Sequence, residues 1–221
     1  MACGAMLPAA RITEPRRRRI ASRFSAARQA CTIGQMLKLI LGVISVGLAA
    51  LGYAAEPVLD NERVTVWDTT GVLPPAQHDF VAVSLSRKGT AVYGHQGDTP
   101  GKTGARTVVV ELKDHALAPI ANATGYPLAF PRPHVKKLLE NDKVIVWDYV
   151  WRPRVPTPMH FHDKDALVVY EATGALQSTT PDGKKTVNEY KFGDIRFNKR
   201  DRTHTELLLR GHAHAVITEL K

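Results

Sequence analysis

The chain has 221 residues, 44% of them hydrophobic, with a net charge of +9 and two cysteines. Its basicity is local: of 30 basic and 21 acidic residues, eight and one fall within residues 1–54, leaving 22 against 20 and a net of +2 beyond them. A body that binds polyanions is not supported, and no nucleic-acid partner is expected. Both cysteines, Cys3 and Cys31, lie in the leading segment, which leaves the body no disulfide framework and no thiolate metal site. It must fold by hydrophobic burial, and it is long enough to do so.

The leading segment reads as a targeting signal. Met36-Leu37-Lys38 starts a short positive region, Leu39 to Ala50 is almost wholly apolar, and Gly52-Tyr53-Ala54 supplies small residues before a cut. This is the pattern of a secretory signal peptide cleaved after Ala54, which places the body in the periplasm or outside the cell. Retention as a membrane anchor through residues 37–55 is the alternative, at the short limit for spanning a bilayer. Arg16–Arg19 stand too far from the apolar run for a twin-arginine signal. Translation from Met36, with residues 1–35 an over-extended start, is the simpler expectation.

Beyond the leader the chain repeats itself. Asn61-Glu62-Arg63-Val64-Thr65-Val66-Trp67-Asp68 returns as Asn141-Asp142-Lys143-Val144-Ile145-Val146-Trp147-Asp148, and Thr107–Lys113 resembles Ala215–Lys221. Between these markers the first copy is shorter. Repetition at this scale implies two related structural units, a first over 55–114 and a second over 141–221. The link 115–140 carries Pro119, Gly125, Pro127, Pro131 and Pro133, which discourage regular structure until Val135–Glu140, expected as a short helix. Elsewhere the pattern is β. Val144–Val146, Ala166–Tyr170, Thr186–Phe192, Asp194–Asn198, Glu206–Leu209 and Ala213–Leu220 are short β-branched or aromatic runs separated by Pro and Gly. Strands at this spacing argue for an all-β sandwich or barrel of the jelly-roll kind.

His160-Phe161-His162 carries the chemistry. On a strand alternate side chains share a face, so both imidazoles point the same way. His204 opens a different strand, which a closed barrel brings alongside. Three converging imidazoles suit a divalent transition metal such as Fe, Mn, Zn, Ni or Cu. As plain interior residues each would need another partner, because a buried unsatisfied polar group costs about 1–3 kcal/mol.

In these motifs the second half resembles the cupin family. The first cupin motif runs His-x-His, three or four residues, Glu, six residues, Gly. Here it is His160-Phe161-His162, then Asp163 to Ala166, Leu167 and, six residues on, Gly174. The second runs from a Gly, here Gly193, to a His at the place of His204, with Lys199 and Asp201 where Pro and Gly are usual. The resemblance covers Asn141–Lys221 well and Asn61–Lys113 in outline. It implies a bicupin with a β-barrel in which the first half is degenerate.

The usual carboxylate ligand falls on Leu167, which cannot ligate. Asp165 and Glu206 are the candidates to complete the set, or the site is three histidines with open positions. His212 and His214 form a second His-x-His, expected to be surface or turn residues. In the first half Gln77-His78-Asp79 matches Phe161-His162-Asp163, but Ala76 stands where His160 would be, so no metal is expected there. The resemblance implies a metal-dependent oxygenase or isomerase acting on a small molecule. A non-catalytic small-ligand module and a purely structural barrel are the alternatives, since the scaffold hosts many functions. A homodimer is compatible with the family.

Overall fold

The structure is a computed structural model that describes residues 56–221. The expected signal peptide or anchor lies outside the described residues. In chain order the strands are β1 (Leu59–Asp60), β2 (Val64–Thr69), β3 (Phe80–Ser84), β4 (Ala91–Gly94), β5 (Thr107–Leu112), β6 (Val135–Glu140) and β7 (Val144–Trp151). There follow β8 (His160–His162), β9 (Asp165–Tyr170), β10 (Gly174–Thr179), β11 (Lys185–Tyr190), β12 (Ile195–Asn198), β13 (Arg202–Gly211) and β14 (Ala213–Leu220). Among the described residues no helix is long and apolar enough to cross a membrane.

Three sheets result. The first holds β1-β2-β5-β3-β4, the middle sheet β12-β9-β14-β7-β6 and the front sheet β11-β10-β13-β8. Middle and front sheets face each other as a jelly-roll barrel over 135–221, closed by an interior that includes Trp147, Tyr149, Tyr170, Leu176, Tyr190 and Ile217. The first sheet covers the other side of the middle sheet. Val64, Val66, Val81, Val83, Val108 and Val110 meet Val144, Val146, Leu167, Val169 and Val216 in one seam. The middle sheet is therefore buried on both faces, which explains why β9, Asp-Ala-Leu-Val-Val-Tyr, shows a continuous apolar run rather than alternation. Burying a leucine such as Leu167 completely contributes about 1.5–3 kcal/mol.

The repeat is visible in this seam. Read from β4 to β1, the first sheet has the connectivity of the middle sheet read from β12 to β6. Registers agree: Phe80 opposes Glu111 as Ala166 opposes Glu219. Asn61 Oδ1 accepts from the Arg63 and Val64 amides at 2.8 and 2.9 Å, and Asn141 Oδ1 from Lys143 and Val144 at 2.9 Å each. Lys113 and Lys221 each reach the carbonyl of that asparagine at 2.6 Å. Short polar loops with these bonds fix where each sheet begins.

What the first copy lacks is the front sheet. In its place, loops from Gly71 to Gln77 and His95 to Arg106 lie over the sheet, tied by Leu73 N to Pro100 O (2.9 Å) and Ala76 N to Asp98 O (2.8 Å). Leu73 and Ala76 thereby cover Phe80, Ala82, Val109 and Trp67. Among the bonds that tie the halves together are Arg63 Nη1 to Asp165 Oδ2 at 2.6 Å, which is buried, and Lys143 Nζ to Asp79 Oδ2 at 3.0 Å.

The link departs from expectation. Val135–Glu140 is not a helix but the edge strand β6, paired with β7. A register shift between Lys137 and Leu139 breaks the alternation, so Val135, Leu138 and Leu139 fall at helix-like spacing while lying on a bulged strand. Upstream, the Phe161 amide donates to Pro127 O and the Ala129 amide to Phe161 O, both at 2.8 Å. The Pro-rich segment thus adds an edge to β8 and carries Phe130 and Arg132 into the barrel.

Candidate metal centre

β8 and β13 are antiparallel neighbours in the front sheet, with His160 opposite His204 and His162 opposite Arg202. Alternation turns His160, His162 and His204 inward, and all three are buried. Their ring centroids stand 5.0, 4.8 and 5.0 Å apart, and one nitrogen from each can be chosen so that all lie within 4.8 Å of one another. His160 Nδ1 lies 2.7 Å from Pro158 O. A carbonyl only accepts, so Nδ1 carries the proton and Nε2 presents its lone pair. Both ring nitrogens of His162 are buried without any protein partner.

The electrostatics keep these rings neutral. Burial, reinforced by the Arg132 guanidinium, pushes His160 down to about 4. Burial and then Arg202 hold His162 well below its ordinary value, and burial lowers His204 as well. Neutral imidazole is the metal-binding form, so the three lone pairs need no deprotonation near neutral pH.

The two carboxylate candidates part company. Glu206, two residues beyond His204 on β13, shares the interior, and its Oε1 is 3.8 Å from His204 Nε2. Its Oε2 accepts from Trp151 Nε1 at 2.9 Å and Arg132 Nη1 at 3.3 Å. Burial alone would raise this carboxyl, but Arg132, His204, His160 and the indole N–H hold it below the ordinary value. Asp165 is turned away from the histidines. Its Oδ2 is bonded to Arg63 and its Oδ1 accepts the Arg200 amide at 2.8 Å, so it braces the seam and is corrected here as a candidate ligand. Leu167 faces the seam too; the barrel-facing residues of β9 are Ala166, Val168 and Tyr170, none a carboxylate.

His162 and His204 border a cavity of about 30 Å³ that also touches Arg132, Trp151 and Glu206, room for roughly one water or ion. It abuts a cleft of about 480 Å³ lined with Ser178, Thr186, Asn188, Arg196 and Arg202, and the two share Tyr170, Asn198, Arg202, His204 and Glu206. Of the charged turn Lys199-Arg200-Asp201-Arg202, Arg200 is spent on Ala118 O and Asp201 and Arg202 face the cleft. A barrel of two facing antiparallel sheets, with paired histidines on one front strand and the third on its neighbour, decides the fold. It is a cupin barrel.

No protein-family model matches the chain, and no curated protein does. Among solved structures this cupin barrel is similar to a cupin domain from Bordetella pertussis, at 24% identity over 43% of this chain and 96% of that one, with a TM-score of 0.37. It is also similar to a cupin 2 conserved barrel domain protein from Leptotrichia buccalis, at 13% identity over 75% and 87%, with a TM-score of 0.40. A third is the polyketide cyclase RemF from Streptomyces resistomycificus, at 18% identity over 49% and 78%, with a TM-score of 0.33. These are likenesses of fold alone.

Sequence reasoning overlooked Arg132, which stacks on Phe130, Tyr149 and Trp151 and stands 3.4 Å from His160 Nε2. Nothing in Pro131-Arg132-Pro133 signals an inward side chain. Arg202 could have been found, because it shares the face of His204 by alternation. In the first half His78 is partly exposed and stands 3.7 Å from Asp114, and the groups of three or more ligating side chains among the described residues all lie in the second half. His212 is exposed as expected. His214 is not a surface residue: it lies beside Asp148 and Glu171 near the seam.

Proposed function

We propose that His160, His162 and His204 hold a divalent transition metal (Fe, Mn, Zn, Ni or Cu) in an exported cupin that acts on a small polar molecule entering through the Arg196–Arg202 cleft. The observation that carries this reading is His162: a buried ring with neither nitrogen bonded, facing two other neutral imidazoles. Such a donor set fits a borderline divalent cation and leaves coordination positions for a ligand. An ion there would supply Lewis acidity toward a carbonyl or enolate oxygen, as an isomerase uses, or the redox site of an oxygenase.

The chain's own residues do the rest. Pro158 O fixes the His160 tautomer, and Arg132 holds the Glu206 carboxylate beside His204 through an ion pair. Arg202 and Arg196 place positive charge along the path, which favours an anionic or oxygen-rich ligand. A non-catalytic binding barrel is the second reading, favoured by Glu206 itself, whose Oε2 is already engaged by Arg132 and Trp151.

Metal analysis of untagged full-length protein tests the first reading. His160→Ala and His204→Ala should each release about one equivalent of metal per chain, and His212→Ala none. Unchanged metal content in the first two variants would sink it. Export is tested separately: the mature protein in the periplasm or medium should begin at Ala55, whereas membrane retention with residues 37–55 intact would support the anchor.

A further inference from the structure

A second group of metal-ligating side chains lies away from the triad, on the seam face of the middle sheet. Asp148 comes from β7, Glu171 from the end of β9 and His214 from β14. One oxygen or nitrogen from each lies within 4.8 Å of the others. His214 Nε2 stands 2.5 Å from Asp148 Oδ1 and 3.3 Å from Glu171 Oε2. A single ring nitrogen carries at most one hydrogen, so it cannot serve both carboxylates well. Glu171 is completely buried, and its Oε1 has no partner. The Gly89 amide donates to its Oε2 at 2.8 Å and fixes the carboxylate from behind.

The duplication provides an internal comparison. Asp68 opposes Val108 as Asp148 opposes Val216. Leu85 N donates to Arg106 O at 2.9 Å as Glu171 N donates to His214 O at 2.8 Å. Asp68, Leu85 and Arg106 are therefore the counterparts of Asp148, Glu171 and His214. In each place a glycine turn of the opposite half presses in, Gly193 onto Arg106 and Gly89 onto Asp148. A Cβ on Gly89 would stand 2.6 Å from Asp148 Oδ2, at φ +61°, so the approach requires glycine.

The first copy satisfies itself with a bidentate Arg106–Asp68 pair, at 3.0 and 2.7 Å, beside an apolar leucine. The second copy has an imidazole in place of the guanidinium and a buried carboxylate in place of the leucine. Packing alone calls for neither change. Together they make a site with one nitrogen and two carboxylates, and the nearby cation is the exposed Lys88 beside Gly89 rather than a guanidinium paired to the aspartate as in the first copy.

We propose that Asp148, Glu171 and His214 form a second divalent-cation site, of the zinc type, that clamps the Gly89 turn of the first half to the barrel. Imidazole and carboxylate are ordinary zinc ligands. The Gly89 amide serves as the outer hydrogen bond that orients a ligand. A groove of about 240 Å³ bordered by Lys88, Val150, Pro153 and His212 reaches His214. The site is independent of the three-histidine centre and stands or falls without it.

The test uses full-length protein stripped with chelator and carrying His160→Ala, His162→Ala and His204→Ala, so that the barrel centre contributes nothing. Added Zn2+ should bind at about one equivalent per chain and raise the melting midpoint by about 5 °C or more. Glu171→Gln should lose both effects. So should the pair Glu171→Leu with His214→Arg, which copies the first half's arrangement and should fold with unchanged circular dichroism. Absence of bound Zn2+ in the parent would overturn the proposal, as would undiminished binding in the folded Leu/Arg variant. Should the triple substitution unfold, wild-type protein compared with the Leu/Arg variant gives the answer: a difference of one equivalent supports the site and equal content refutes it.

Discussion

The two halves of this protein each hold a five-stranded sheet of the same connectivity and differ in what lies over it. On the seam side, both sheets present valines at matched positions, and each begins with the same asparagine and lysine hydrogen bonds. On the far side, the second half carries a four-stranded front sheet with the histidines, and the first carries two loops. Metal-ligating capacity follows the front sheet because His160, His162 and His204 stand on two of its strands. A copy without that sheet keeps the packing function and cannot rebuild the triad.

The largest effect is expected where the halves are joined by buried charge. Arg63→Ala removes the close ion-pair partner of the buried Asp165 carboxylate, which keeps only its contacts with Arg200, and should cost about 3 kcal/mol in urea unfolding, whereas Arg106→Ala, in a pair more open to solvent, should cost about 1 kcal/mol or less. Equal losses would show that the Arg63 contact is not a principal tie. Leu167→Ala should cost about 2–5 kcal/mol while metal content stays the same. A missing equivalent of metal would mean that β9 turns this side chain to the barrel after all.

A smaller effect is expected at Asp79, whose carboxyl is held well below its ordinary value by the Gln96 amide and by Lys143 across the seam. A lowered folded-state value contributes stability that is present above about pH 4 and lost as the pH falls further. Asp79→Asn should therefore remove about 1 kcal/mol at pH 7 and flatten the acid limb of the thermal-stability profile. An acid limb as steep as wild type would refute that assignment. Least affected should be His78→Ala, with stability within about 0.5 kcal/mol of wild type and the same metal content. A lost equivalent there would give the first half a site of its own.

Much of this was legible beforehand. The repeat, the β character and the inward pair His160/His162 follow from local patterns, because alternation fixes which side chains share a face. Val135–Glu140 misled because a bulge at Leu138 imitates helical spacing. Asp165 looked like a candidate ligand, and Leu167 like the place of the usual one, because counting from His162 does not say which face of β9 meets the barrel. That face depends on the sheet being covered on both sides, so apolar residues occupy both phases of the strand and the phase cannot be read from hydrophobicity. His214 looked like a turn residue because its partners, Asp148 and Glu171, are remote in sequence.

By itself, then, the sequence determined the class of fold, the duplication and the three histidines, all of which depend on short-range spacing. The tertiary structure alone decided that the first copy is a single sheet, that Arg132 enters the barrel from a Pro-rich segment, and that equivalent positions in the two copies hold an Arg–Asp pair and an Asp–Glu–His group. These are long-range matters. They depend on which surfaces are left to be covered once the sheets have packed, and a buried charge or ligand group acquires its partner only then.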